Sequence, residues 1–158
     1  MFLEFETTVK PEWIDYNGHM RDSNYGLVFS LAVDALQDAV GLDAAYRERT
    51  GCTIYLLEDH KFYLKEVKQG DQLRVVTHVL GVDEKRFHLY MIMKRDQVEV
   101  CIGEFMELHV QQYPSPHGIS MPREIRKRLM DYHKSAEKGL PSFCRSRQIR
   151  LIQTKTIR

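Results

Sequence analysis

The stretch WIDYNGHMRDSNY, from Trp13 to Tyr25, sets a carboxylate, Asp15, beside Asn17, a glycine turn at Gly18 and an imidazole at His19, then continues with Asp22, Ser23 and Asn24. These last three residues are typical of helix starts, and an apolar run of helical period follows directly. The first turn of a helix leaves backbone N–H groups without intrahelical acceptors, and they favour a negative or polarised oxygen in front of them. A carboxylate one turn of loop upstream of such an end supplies what hydrolysis of an acyl group needs. One part attacks or activates water, and the other presents donors to the oxyanion that develops. The same residue types also build turns and caps for structural reasons alone, so spacing leaves both readings open.

The elements that must position this stretch follow from period and punctuation. Phe2–Val9 alternates apolar and polar residues and predicts a strand stopped by Pro11. Tyr25, Val28, Phe29, Ala32, Ala35, Leu36, Ala39 and Val40 recur on one broad helical arc, with Ser30, Asp34, Gln37 and Asp38 as the strip left toward solvent. So wide an arc predicts a helix wrapped by other structure and stopped at Gly41. A shorter helix is expected over 43–49. Runs rich in β-branched and aromatic residues then occupy 53–65, 72–82, 87–94 and 98–110, and their short links favour antiparallel pairing. One long enclosed helix placed early against such strands gives an α+β fold in which a long antiparallel sheet curves around a central helix. Ser120 and Pro122 open a last, amphipathic helix with Ile125, Leu129 and Tyr132 on its apolar side. Its cations Arg123, Arg126, Lys127 and Arg128 form a solvated face or meet phosphates.

A second group of interest lies in the 53–65 strand. Counting by two puts Glu58 and His60 on one face with Ile54, Leu56, Phe62 and Leu64, and Asp59 and Lys61 on the other. Ionisable groups on an apolar face need partners or a chemical role. A bulge between Leu57 and Asp59 would undo the count.

At 158 residues the chain has the length of one domain, and its 43% apolar and 28% charged residues leave no composition signal for disorder or a membrane span. A net charge of +1 with interspersed signs gives no reason to expect a nucleic-acid or membrane partner. Cys52, Cys101 and Cys144 are far apart and lack metal-ligand spacing, so no metal site is expected and the thiols are read as reduced. Glu4 and Glu6 interrupt the apolar N-terminus in a way unlike a signal peptide, and a cytoplasmic protein is expected. The domain is expected over 1–138. The tail at 139–158 carries Arg145, Arg147, Arg150, Lys155 and Arg158 without an acid; it reads as disordered, as an added edge strand or as a contact for a polyanion.

Asp15, Gly18, His19 and Tyr25 resemble the D-x-x-G-H loop and following tyrosine of hotdog-fold acyl-CoA thioesterases of the 4-hydroxybenzoyl-CoA thioesterase type. FYLKEVKQGDQLRV and EFMELHV are similar to later strands of that family. PEWIDYNGHMRDSNY and LAVDAL are similar, more narrowly, to the thioesterases that accompany carnitine dehydrogenase. The resemblance covers about residues 5 to 135. It implies hydrolysis of a small acyl-CoA, with betainyl-CoA as the narrower expectation, and Asp15 as nucleophile or general base. It further implies that N–H groups around Asp22 to Asn24 polarise the thioester carbonyl. CoA enters as part of the substrate, and no separate cofactor is expected. Glu58, with His60 beside it, lies where other hotdog lineages keep a catalytic carboxylate. Trp13, Asn17, Gly18, His19, Ser23 and Tyr25 complete the expected substrate site, with Trp13, Tyr16 and Tyr25 as aromatic faces for a quaternary ammonium. The chain departs from many relatives at Trp13, where they carry a second acid, and at Arg21 and Asp22, where they carry asparagines. A homodimer or homotetramer is implied, with Glu58 and His60 reaching across the seam. Two alternatives share the scaffold: an (R)-specific enoyl-CoA hydratase, whose motif has a proline and a later histidine, and a non-catalytic acyl-CoA-binding protein.

Overall fold

A computed structural model describes residues 3–136; the tail expected at 139–158 and the domain boundary before it lie outside the described residues. In chain order the elements are β1 (Leu3–Thr8), a short 3-10 turn (Pro11–Trp13), α1 (Asp22–Val40), α2 (Ala44–Thr50), β2 (Cys52–Tyr63), β3 (Gln72–Val82), β4 (Arg86–Arg95), β5 (Val98–Gln111), the two-residue β6 (His117–Gly118) and α3 (Arg123–Ala136). All pairings are antiparallel, in the order β1-β3-β4-β5-β2, with β6 added to β5. The link from β2 to β3 is short, yet the two strands are not neighbours. β2 pairs with β5 instead, at one edge of the sheet. Among the described residues no single helix is long and apolar enough to cross a bilayer.

The sheet curves around α1. Val28, Phe29, Ala32, Leu36 and Val40 on the helix share one core with Val75, Leu89, Met91 and Phe105 on the strands, all buried. Each such side chain contributes about 1.5–3 kcal/mol through removal from water, which is what holds the helix on the concave face. Gly103 makes the closest approach possible. A Cβ there would collide with the Phe105 ring and press on Phe29 at 3.2 Å. Gly41 ends α1 in the left-handed conformation at φ 89°, as expected, and Arg128 Nη1 of α3 donates to the Val40 carbonyl at 3.1 Å. One of the four cations on α3 thus acts as a helix cap.

Two expectations are corrected by packing. The strip of α1 left open is not wholly polar: Leu27 and Leu31 are exposed beside Ser30 and Asp34, whereas Gln37 is buried and accepts from Arg47 Nη1 at 3.1 Å. In β2 the register shifts between Leu56, opposite Glu107, and Glu58, opposite Met106, so Leu57 is bulged out. Past the bulge, Asp59, Lys61 and Tyr63 share the α1 side with Phe105, Gly103 and Cys101, while Glu58 and His60 turn to the other face. The face shared with Ile54 and Leu56 that a simple count assigns to Glu58 and His60 is therefore overturned.

On β5, Glu107 falls on the α1 side and is 5% exposed. Burial, and then the Asp34 carboxylate, push its pKa from the ordinary 4.5 to about 7. An acid whose folded-state pKa lies above its unfolded one retains its proton longer in the native state. Its contribution to stability is present below the unfolded value and is lost as pH rises through the folded one. We expect the Glu107→Gln variant to gain on wild type by on the order of 2 kcal/mol between pH 5 and pH 8 in urea unfolding. His78 and His109, held low by burial, act with the opposite sign, so the difference between the two proteins is the test. Equal pH dependence of both proteins would refute the assignment.

Candidate active site

The loop before α1 is fixed by its own backbone. Met20 N–H donates to the Val67 carbonyl at 2.7 Å and Arg21 N–H to that of Trp13 at 2.9 Å, while Ile14 and Met20 form a β-bridge. Trp13 is 5% exposed, inside the core, with Lys10 Nζ 5.4 Å above its ring. Its face is covered by the chain's own cation, which removes it as an aromatic wall for substrate. The residue anchors the loop.

Asp15 is half-buried and sits at the mouth of the turn. Its Oδ1 accepts from Asn17 N–H at 2.8 Å and His19 N–H at 3.3 Å, and its own N–H donates to the His19 carbonyl at 2.9 Å. Gly18, at φ 78°, allows the chain to reverse. The structural role that the spacing suggested is thus real, and it occupies one carboxylate oxygen. Oδ2 has no hydrogen-bond partner among the described residues.

The start of α1 differs in detail from the expected cap. Arg21, extended and without a side-chain bond, is the N-cap; Asp22, Ser23 and Asn24 form the first turn. Asp22 Oδ1 accepts from Ser23 N–H at 2.7 Å, and Asn24 N–H donates to the Arg21 carbonyl at 3.0 Å. Of these three N–H groups, that of Asp22 is left without an acceptor among the described residues. An N–H at this position carries the positive end of the helix dipole.

A cleft of about 270 Å³ lies at this end, lined by His19, Met20, Asp22, Tyr25 and residues Tyr63 to Glu66. Tyr25 forms its inner wall: its hydroxyl donates to the Lys65 carbonyl at 3.3 Å and its ring meets Tyr63 edge-on, 5.3 Å between centroids. Burial pushes the Tyr25 phenol up to about 12, so it remains a neutral donor at physiological pH. At the rim, His19 Nε2 is 3.1 Å from Glu66 Oε2.

Of the expected site residues, the cleft therefore gathers His19, Asp22 and Tyr25. Asp15, Asn17 and Gly18 form the turn beside His19, while Ser23 and Asn24 are in the first helical turn and do not line the cleft. Glu58 and His60 lie on the sheet face turned from α1, where the His60 ring stacks 4.7 Å from Phe62. Sequence reasoning missed Tyr63, Lys65 and Glu66. Tyr63 and Lys65 fall at the end of the run predicted as a strand over 53–65 and Glu66 just beyond it, and the bulge at Leu57 sets Tyr63 on the helix side.

The comparisons agree with this architecture. A family model described as the thioesterase-like superfamily matches residues 9–136. A betainyl-CoA thioesterase from Pseudomonas aeruginosa is 44% identical over 139 residues, 87% of this chain and 86% of the relative. A Pseudomonas putida structure, solved as a candidate thioesterase, superposes with a TM-score of 0.79 at 36% identity, over 94% of this chain and 95% of that one. A hypothetical protein from Staphylococcus aureus, solved in complex with CoA, has a TM-score of 0.86 at 26% identity, covering 96% of each chain. With a curved antiparallel sheet enclosing α1 and a cleft at the helix tip, the chain belongs to the thioesterase-like superfamily and is a thioester hydrolase of the hotdog fold.

Proposed function

We propose that the protein hydrolyses small acyl-CoA thioesters at the N-terminus of α1, with betainyl-CoA among them. The observation that carries this reading is the pairing of Asp15, half-buried with one oxygen unused, with a helix start whose Asp22 N–H lacks an acceptor among the described residues. Similarity to the betainyl-CoA thioesterase supports the substrate. With the thioester oxygen at the helix tip, Asp15 Oδ2 takes a proton from water as the water oxygen adds to the carbonyl carbon. The oxyanion is stabilised by the Asp22 N–H and the dipole behind it. Collapse breaks the C–S bond, and the departing CoA thiolate receives the proton. Direct attack by Asp15, through an acyl anhydride that water then cleaves, uses the same placement. Tyr25 and Tyr63 take the aromatic role first expected of Trp13, offering ring surface to a trimethylammonium group. Two free, buried thiols, Cys52 and Cys101, support a cytoplasmic, reducing setting.

The sheet edge supports self-association. β2 exposes Tyr55, Leu56, Leu57 and Tyr63, with Leu56 and Leu57 each 53% exposed, and α1 presents Leu27 and Leu31 nearby. An apolar edge strand with unpaired backbone is a template for another strand. A second copy meeting β2 antiparallel would continue the sheet and cover both leucine pairs. We expect Leu57→Lys to reduce the mass measured by light scattering to that of the monomer. A wild type already monomeric at micromolar concentration would exclude this interface.

For catalysis, thiol release is to be followed across a panel of acyl-CoAs. We expect Asp15→Asn to lower kcat by about 100- to 10,000-fold with little change in KM. An Asp15→Asn enzyme as active as wild type would sink the assignment. Single turnover with a labelled acyl group separates the two routes, since acyl carried on Asp15 marks direct attack.

A further inference from the structure

Hydrolysis of a thioester moves two protons, one off the attacking water and one onto the departing sulfur. In the proposed mechanism Asp15 takes the first, and the second needs a donor beside the sulfur. The cleft at the tip of α1 is small. At about 270 Å³ it falls below the roughly 300–1,000 Å³ of pockets that enclose a drug-sized ligand, so groups on its facing walls bear on one reacting centre.

The titratable walls of this cleft are His19, Asp22, Tyr25, Tyr63, Lys65 and Glu66. Tyr25 keeps its proton, since burial pushes its phenol up to about 12 and its hydroxyl already donates to the Lys65 carbonyl. Burial raises the Tyr63 phenol as well. Asp22 accepts from Ser23 N–H, and nothing among the described residues holds the exposed Lys65 ammonium in place. Glu107, a carboxyl that burial pushes up to about 7, lines a second cleft with Asp34 and Asp59. At 1.5 Å per residue, Asp34 lies about 18 Å beyond Asp22 along the helix axis, so that acidic cleft does not meet the thioester.

His19 differs from these groups in being held at both ends. Its N–H donates to Asp15 Oδ1 at 3.3 Å and its carbonyl accepts from Asp15 N–H at 2.9 Å, which locks its backbone to the proposed base. The next residue, Met20, donates to the Val67 carbonyl at 2.7 Å and brings the loop against the segment that carries Glu66. Glu66 Oε2 then lies 3.1 Å from His19 Nε2. A carboxylate only accepts, so Nε2 carries the hydrogen of this bond and Nδ1 is the nitrogen left to exchange a proton.

Building on the hydrolase reading above, we propose that His19 is the general acid for the leaving group and that Glu66 is the residue that positions it. As the C–S bond breaks, the imidazolium gives its Nδ1 proton to the sulfur, and CoA leaves as the thiol. Neutral His19, still bonded to Glu66 through Nε2–H, then takes the proton that Asp15 Oδ2 accepted from water. Both groups return to their starting forms, and the product acid releases its own proton to solvent. One water is consumed, and a thiol, a carboxylate and one proton are formed. On the route through an anhydride, His19 acts at the same C–S cleavage.

The test varies the basicity of the leaving group. The acyl group that wild type hydrolyses best is presented as its CoA thioester and as its 4-nitrothiophenyl ester, whose thiolate departs without help from an acid. His19→Gln and Glu66→Gln retain the backbone bonds to Asp15, and the fold of each is checked by circular dichroism. We expect His19→Gln to lower the single-turnover rate on the CoA thioester by about 10- to 100-fold, at or below the low end of general-acid effects because a thiolate leaves readily. On the nitrothiophenyl ester the same variant stays close to wild type. Glu66→Gln shifts the ratio of the two rates in the same direction by less. Equal losses on both esters mean that the pair only staples the loop, and no loss on either means that it takes no part. Each of these results overturns the proposal while leaving the hydrolase reading intact. A wild type that hydrolyses no CoA thioester overturns that reading and the acid role with it. If wild type does not turn over the aryl ester, the solvent deuterium isotope effect on CoA-thioester cleavage decides. A larger effect in wild type than in His19→Gln upholds the acid role; equal effects remove it.

Discussion

The burial of α1 against the concave face of the sheet is the contact on which the other features rest. Phe29 approaches the strands where Gly103 has no side chain, and Phe105 closes over the gap. A helix held this closely cannot shift along its axis without losing packing on several strands at once. Its N-terminus is therefore fixed in space. The Trp13 to Met20 loop is tied to that end through the Arg21 N–H to Trp13 carbonyl bond, while Asp22 and Ser23 at the tip stay exposed. The core thus positions the polar chemistry, and two of its members, Met20 and Tyr25, also line the cleft at the tip.

Loop and strand then divide the work around that fixed tip. Trp13 is buried so that the loop has an anchor, and Asp15 ties the turn together with one oxygen while the other remains unbonded among the described residues. Under the proposed mechanism one residue serves both structure and chemistry, which is why a conservative Asp-to-Asn change is more informative than truncation. Past the bulge, β2 contributes Tyr63 to the helix-tip cleft and Asp59 to the acidic one. A single inserted residue decides which side chains of an edge strand reach the α1 side.

The two clefts also differ in polarity. Near the tip, the walls are tyrosine rings, a carbonyl-bound hydroxyl and the His19–Glu66 pair; a second cleft further along α1 has Asp34, Asp59 and the buried Glu107 among its walls. The exposed leucines of β2 and α1 border this same side, which places the clefts near the edge where a second copy would sit.

The sequence by itself determined the class of fold and the place of the loop. The broad apolar arc of α1, the stop at Gly41 and the β-rich runs after Cys52 are local signals, set by period and by backbone preferences that hardly depend on distant residues. Motif spacing likewise located Asp15, His19 and Tyr25. Only the tertiary structure decided that Trp13 faces inward, that Asp22 lies within the helix, and that Glu58 and His60 turn away while Tyr63 and Glu107 turn toward α1. Those outcomes depend on a bulge, on strand order and on which side chain fills which gap. Each is a property of contacts between residues far apart in the chain, and no local pattern encodes them.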